Sequence, residues 1–172
     1  MATFVVEDGS GSSTANSYST VADADSYVAD HGADAVWSAA SEAEKQEALR
    51  LGSQYIDLMY ASRFKGVKEN NENALSFPRM GCTDEDGYSI YSDVVPNKIM
   101  YAAIEAAIRS INGDTFLSKQ STPGKIKSES KKLAVLEKST EYVHGKDQEP
   151  AYPRIEALVR PFLKGSYRVL RA

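Results

Sequence analysis

Ser41 and Glu44 stand in capping-box spacing immediately ahead of a stretch whose apolar side chains recur with the period of a helix. This predicts a helix over about residues 42–61, the longest in the chain, with Ala48, Leu51, Tyr55, Leu58 and Met59 on its inward face. Gly52 lies within the run, where a missing side chain lets a neighbouring element come close. A helix of that length gains most of its stability by packing an apolar face, so it needs partners elsewhere in the sequence.

Three further helices supply them. Thr20 can cap a helix whose face is Val21, Ala24, Tyr27, Val28 and His31, with Asp23 in an acidic first turn and Gly32 as the stop. Pro96 sits where a helix's first turn tolerates it. Met100, Ile104, Ala107, Ile108 and Ile111 then form an apolar stripe that Asn112-Gly113 closes. A last helix runs from Tyr152 or Pro153 to Val159, with Ile155, Leu158, Val159 and Phe162 on one side and a break at Arg160 ahead of Pro161.

Between these helices the period is lost. Residues 62–95 are irregular, with Leu75 and Phe77 before Pro78 reading as a short buried anchor and Asp84 to Gly87 as a turn. After Pro123-Gly124, Ile126–Ser130 and Leu133–Ser139 alternate partly and read as a hairpin over about 125–140. Phe4–Val6 reads as a short strand, and Gly9–Ser19 (GSGSSTANSYS) as a loop or extended arm. The alternating end Gly165–Ala172 reads as a strand or arm in need of a partner surface. No repeat of 20–50 residues is present. The fold class is mainly α: a bundle of about four helices with a small β-hairpin and extended N- and C-terminal arms. It is read as a single domain over 1–172, with an arm at 1–19, a core at 20–163 and a second arm at 164–172.

At 172 residues and 42% hydrophobic content the chain can bury one core. It has no apolar run of ~18 residues, so no membrane span is expected, and Met1 to Ser13 lacks the basic and apolar regions of a secretory signal. A single cysteine, Cys82, fits a reducing cytoplasm. The net charge of −4 argues against a dedicated nucleic-acid binder. That figure conceals a split: residues 1–100 hold 16 acids and 7 bases, a net of −9, and residues 101–172 hold 8 acids and 13 bases, a net of +5. Such asymmetry can set which surface meets which neighbour, or be an uneven solvated surface.

Catalytic chemistry has little to stand on. His31 and His144 are far apart, and each reads as a surface or capping residue; Cys82 has no Cys or His near it for zinc or for activation as a nucleophile. If Gly87 took the glycine place of a calcium loop, Cys82 would fall at the first ligand, so Asp84 and Asp86 read as a plain turn. Gly9 and Gly11 lack the third glycine and the following helix of a dinucleotide fingerprint. No catalytic residue, metal or cofactor is expected. The chemically suggestive tract holds Lys119, Lys125, Lys127, Lys131, Lys132, Lys138 and Lys146 against Glu129, Glu137 and Glu141. Lys125, Lys127, Lys131 and Lys132 are the candidate phosphate contacts, although the tract offers only Tyr142 for base stacking. Edge lysines that merely prevent aggregation would look the same.

Three stretches together resemble a family of phage proteins. VVEDGSGSSTANSYSTVADADSYVADHG, ahead of Trp37, is similar to an opening "VEDGTG…ANSY…ADAY". FPRMGCTDEDGY with VPNKIMYAAIEAA resembles a "WPR…DG…VP" loop and helix, with Phe77 where the family commonly has Trp. KIKSES with YPRIEALVRPFL resembles a "VKSE…YP.ID.LL.P.L" tail, so the likeness covers nearly the whole chain. The family is labelled DnaT-like single-stranded DNA-binding protein, and its members are encoded beside capsid and portal proteins. The resemblance implies a virion structural role: a head–tail adaptor, or connector, forming a dodecameric ring in the neck between the portal and the tail or neck proteins below. Its partners would then be the portal, those proteins and other copies of itself, with non-specific contact to packaged DNA. It would sit in the virion neck and, during assembly, in the host cytoplasm. By the same analogy Lys164, Tyr167, Arg168, Val169, Leu170 and Arg171 would contact the portal. The alternative is the labelled activity, single-stranded DNA binding through the lysine-rich hairpin.

Overall fold

The computed structural model describes residues 3–114, 126–133, 136–142 and 152–165, the two segments within 126–142 by backbone alone. Its helices are α1 (Val21–His31), α2 (Ala35–Ala39), α3 (Glu42–Tyr60), α4 (Asn97–Ile111) and α5 (Pro153–Val159). Short strands β1 (Val67–Lys68) and β2 (Arg79–Met80) pair antiparallel, as do β3 (Ile126–Leu133) and β4 (Leu136–Tyr142). The result is mainly α, with four helices of substance and a small β element, as the periodicities predict. The chain divides into two compact units: a body of Met1–Phe116 with Pro153–Ala172, and a second unit, Leu117–Tyr152, that contains β3 and β4.

The local signals place the helix ends. Ser41 and Glu44 close their capping box, the Glu44 carboxylate accepting from the Ser41 N–H at 2.8 Å, and Thr20 and Asp23 do the same for α1. Pro96 is the N-cap of α4, and a 3₁₀ turn over Arg160–Phe162 replaces α5 where Pro161 disfavours an α-helix. Helix α2 has no counterpart in the sequence reading. At five residues it is too short to show a period, but Asp34 caps it by accepting from the Trp37 N–H at 2.8 Å, and it delivers the buried Trp37 to the core.

Helices α3 and α4 pack along their length. The inward face of α3 is Ala48, Leu49, Gly52, Ser53, Tyr55, Ile56 and Tyr60. Leu51, Leu58 and Met59, expected on that face, are exposed instead, Leu58 by 62%. A stripe drawn through the large apolar residues is rotated by about one residue, or 100°, from the true face, because the small Gly52 and Ser53 mark the line of closest approach. Helix α4 is covered almost all round: Ile99, Ala102, Ala103, Ile104, Ala106 and Ala107 are fully buried, while Met100, Ile108 and Ile111 are only half-buried. Helix α5 lies against α4 and contributes Ile155 and Val159, followed by Phe162. Phe77, part of the expected anchor with Leu75, meets Phe64 edge-on at 5.0 Å between ring centroids and Phe162 at 6.1 Å.

The N-terminal arm is extended and irregular, and it lies on the body. Val6 bridges Ser17 in parallel, and Ala15, Ser17, Tyr18 and Ser19 are buried. The buried Glu7 carboxylate accepts the backbone N–H groups of Gly9, Gly11 and Ser12, each at 2.9 Å. A loop rich in Gly and Ser is thereby ordered by one acid. Glu7→Ala should leave those donors unpaired at a cost of about 1–3 kcal/mol. The expected result is new cleavage within residues 8–14 in limited proteolysis; a digestion pattern identical to that of the parent protein would refute this role.

Candidate functional site

The lysine tract is read first on the backbone of β3 and β4. Lys127, Lys131 and Lys132 stand on β3 and Lys138 on β4; Lys125 lies outside the described residues. The pairing runs from Ile126 opposite Tyr142 to Leu133 opposite Leu136, with register shifts along it. Lys131 falls opposite both Lys138 and Ser139. Like charges directly opposite each other across a ladder are in general unfavourable. The ribbon thus gathers cations from two strands at one level.

On the body, the buried polar groups are committed to structure. Glu105 of α4 accepts from the Tyr27 hydroxyl at 2.7 Å and pairs with the Arg154 Nε at 3.0 Å, joining α1, α4 and α5. Burial, with Glu105 beside it, pushes the Tyr27 hydroxyl up to about 12, so it stays protonated at neutral pH. His31 stacks on Tyr27 at 4.2 Å, and its Nδ1 lies 3.0 Å from the Tyr27 carbonyl oxygen, in line with its expected place at a helix end. Burial likewise raises the Cys82 thiol, which keeps it out of the reactive thiolate form. Asp84 Oδ1 accepts from the Asp86 and Tyr88 N–H groups at 3.0 and 2.8 Å, making the turn the sequence suggested. His144 lies outside the described residues. Among the described residues no group of three or more His, Cys, Asp or Glu could hold a metal ion, and no helix is long and apolar enough to cross a membrane.

Two surface features escape the sequence reading. Tyr88 and Tyr91 are exposed by 73% and 79% on the loop between β2 and α4, but Asp84, Glu85, Asp86 and Asp93 share that loop. An acidic setting of this kind repels phosphate and suits a protein partner better than a nucleic acid. The second feature is a groove of about 520 Å³ in which Leu51, Gln54 and Leu58 of α3 face Ala15 of the arm and Ala74 and Leu75 of the β1–β2 connection. The tyrosines follow no helical period, and the groove joins one face of α3 to residues distant in sequence, so no pattern in the sequence marks either. Lys164 is exposed, its N–H donating to the Arg63 carbonyl at 2.8 Å; Tyr167, Arg168, Val169, Leu170 and Arg171 lie outside the described residues.

No curated protein and no solved structure matches the chain. One family model matches residues 2–172, and with that coverage the chain belongs to the family described as "Putative DnaT-like ssDNA binding protein".

Proposed function

We propose that the chain is a non-enzymatic binding protein that contacts single-stranded DNA through the lysines of the β3–β4 ribbon. The observation that carries this is the placement of Lys131 opposite Lys138, with Lys127 and Lys132 on the same strand as Lys131. A phosphate backbone laid along the ribbon relieves the like-charge repulsion and releases counterions. The family description supports the reading. The acidic body limits affinity, and the contact is electrostatic and sequence-independent.

A salt series tests it. Binding of a labelled single-stranded oligonucleotide should weaken between about 50 and 200 mM salt, with a log–log slope near −0.7 per phosphate contacted. Changing Lys127, Lys131, Lys132 and Lys138 to Gln should make that slope shallower by about 3. An unchanged slope and affinity in the variant would remove the ribbon from the site.

A second reading, a head–tail adaptor, draws on the exposed Tyr88 and Tyr91 over an acidic loop, a surface better suited to protein than to phosphate. The likeness of the sequence motifs to phage proteins supports it too. On this reading copies assemble head-to-tail into a closed ring. Lys164, Tyr167, Arg168, Val169, Leu170 and Arg171 meet the portal, and DNA contact is incidental to passage through the neck. Electron micrographs of the protein mixed with portal rings separate the two readings, since decorated rings are expected only for the adaptor.

A further inference from the structure

The side of α3 turned away from α4 carries a stripe with an internal symmetry. At about 100° per residue, Glu47 and Gln54 lie close to one line along the helix. Leu51 and Leu58 fall to one side of that line, Arg50 and Asp57 to the other. The two leucines are exposed by 37% and 62%. Among the described residues neither Glu47 nor Arg50 is engaged in a hydrogen bond or ion pair, although Arg50 is half-buried. Asp57, also half-buried, accepts from the Tyr18 hydroxyl with Oδ1 and from the Ser76 N–H with Oδ2, and its carboxylate keeps lone pairs for a further donor. The stripe therefore holds a cation without an anion, an acid able to receive one, and two apolar side chains open to solvent. Arg50 and Asp57 are about 10.5 Å apart along the axis, and they do not meet on one chain.

They meet when a second α3 is laid antiparallel on the first. The midpoint of Arg50 and Asp57 falls half a residue before Gln54, and that of Leu51 and Leu58 half a residue after it, each within about 0.75 Å along the axis. A two-fold axis at Gln54 thus sets each Leu51 against Leu58 of the other copy and each Arg50 against Asp57 of the other copy. That axis runs sideways across the helix pair, so the leucine side stays with the leucine side and the charged side with the charged side. A parallel pair in register would instead put Arg50 on Arg50 and Asp57 on Asp57. The groove of about 520 Å³ lies on the charged side, bounded by the small Ala15 and Ala74, and has room for an arginine side chain from outside.

We propose that two copies of this chain associate through α3, antiparallel about Gln54, with Arg50 of each seated in the groove of the other against Asp57. The contact is isologous, the same patch serving on both copies. It uses none of the ribbon lysines, so it stands or falls separately from DNA binding.

Sedimentation equilibrium of the full-length protein should give the mass of two chains as concentration rises. Leu58→Lys should raise the dimer dissociation constant by at least about tenfold, because both leucine pairs are lost. Leu58 is largely outside the core, so the fold stays intact. Adding Leu51→Glu to that variant should restore the dimer, since each new acid then faces a new lysine across the axis. Cross-linking checks the register independently. Gln54→Cys, on the axis, should join two copies under mild oxidation, whereas Glu47→Cys, about 21 Å along the axis from its own counterpart, should not. The native Cys82 is buried in both variants. The mass of one chain at every concentration would overturn the proposal. So would a dimer indifferent to Leu58→Lys, a double variant no tighter than Leu58→Lys alone, or equal cross-linking at the two cysteine positions.

Discussion

Gly52→Val is expected to cost about 3 kcal/mol, at the upper end of the range for overpacking a core. For a chain of this size that corresponds to a melting temperature lower by roughly 6–12 °C. A Cβ on Gly52 would lie 2.3 Å from the Ala103 carbonyl oxygen and 2.8 Å from the Ala107 nitrogen, both backbone atoms of α4. Flexible side chains can rotate away from a clash, but a helix backbone moves only as a body. The added isopropyl group would therefore separate α3 from α4 along their main contact. Gly165→Ala provides the control, since nothing lies within 4 Å of the corresponding Cβ. Thermal unfolding followed by circular dichroism checks both. If Gly52→Val melted with Gly165→Ala, the closeness of the two helices would not be what sets stability.

Tyr18→Phe should have a comparable effect, of about 2–4 kcal/mol at neutral pH, with a signature in pH. The buried Tyr18 hydroxyl donates to Asp57 Oδ1 at 2.5 Å and accepts the N–H groups of Ser76 and Phe77 at 2.9 and 3.3 Å. It ties the arm, α3 and the cis Phe77-Pro78 loop at one atom. Burial raises the Asp57 carboxyl above its ordinary value, and the bonds from Tyr18 and Ser76 partly offset that rise. An acid whose pKa is higher folded than unfolded is ionised first in the unfolded chain. Stability therefore falls as pH rises from the unfolded value to the folded one, and it recovers on acidification. Removing the hydroxyl lifts Asp57 further and widens that window. The deficit of Tyr18→Phe relative to the parent should accordingly be greatest near neutrality and shrink as pH falls through the Asp57 transition. Chemical denaturation between about pH 4 and 7 measures it, and a deficit independent of pH would rule out Asp57 as the partner that matters.

Caps are local, and this is why the helix ends were legible. Thr20 with Asp23, Ser41 with Glu44, and Pro96 act within a turn of their own position. Which face turns inward is a tertiary matter. On α3 the deciding residues are Gly52 and Ser53, whose worth lies in what they omit, so Leu51 and Leu58 were placed on the wrong side. The arm hid its order for a similar reason. Gly, Ser and Asn signal loop, and nothing in their spacing shows that Glu7 collects three N–H groups or that Tyr18 reaches Asp57 on α3. At the candidate site the lysines could be read directly, and the hairpin with them. The pairing of Lys131 with Lys138 could not, because the register shifts along β3 and β4 break the alternation from which it would be inferred. Tyr88 and Tyr91 looked like any tyrosines in an irregular stretch, since exposure depends on what the rest of the chain leaves uncovered.

The body closes on itself across a long excursion. Helix α4 ends at Ile111, and the helix that completes its burial begins at Pro153, so the Glu105–Arg154 pair forms only after everything between has been synthesised. On the ribosome, the first 111 residues must wait with α4 uncovered along the strip that Ile155 and Val159 later fill. The entropy of joining such distant ends grows only as the logarithm of the spacer, about 0.6 kcal/mol for each doubling. That shallow dependence leaves the intervening stretch free to lengthen, shorten or change its chemistry over evolution at little cost to the helices that bracket it. The lysine ribbon lies within that intervening stretch.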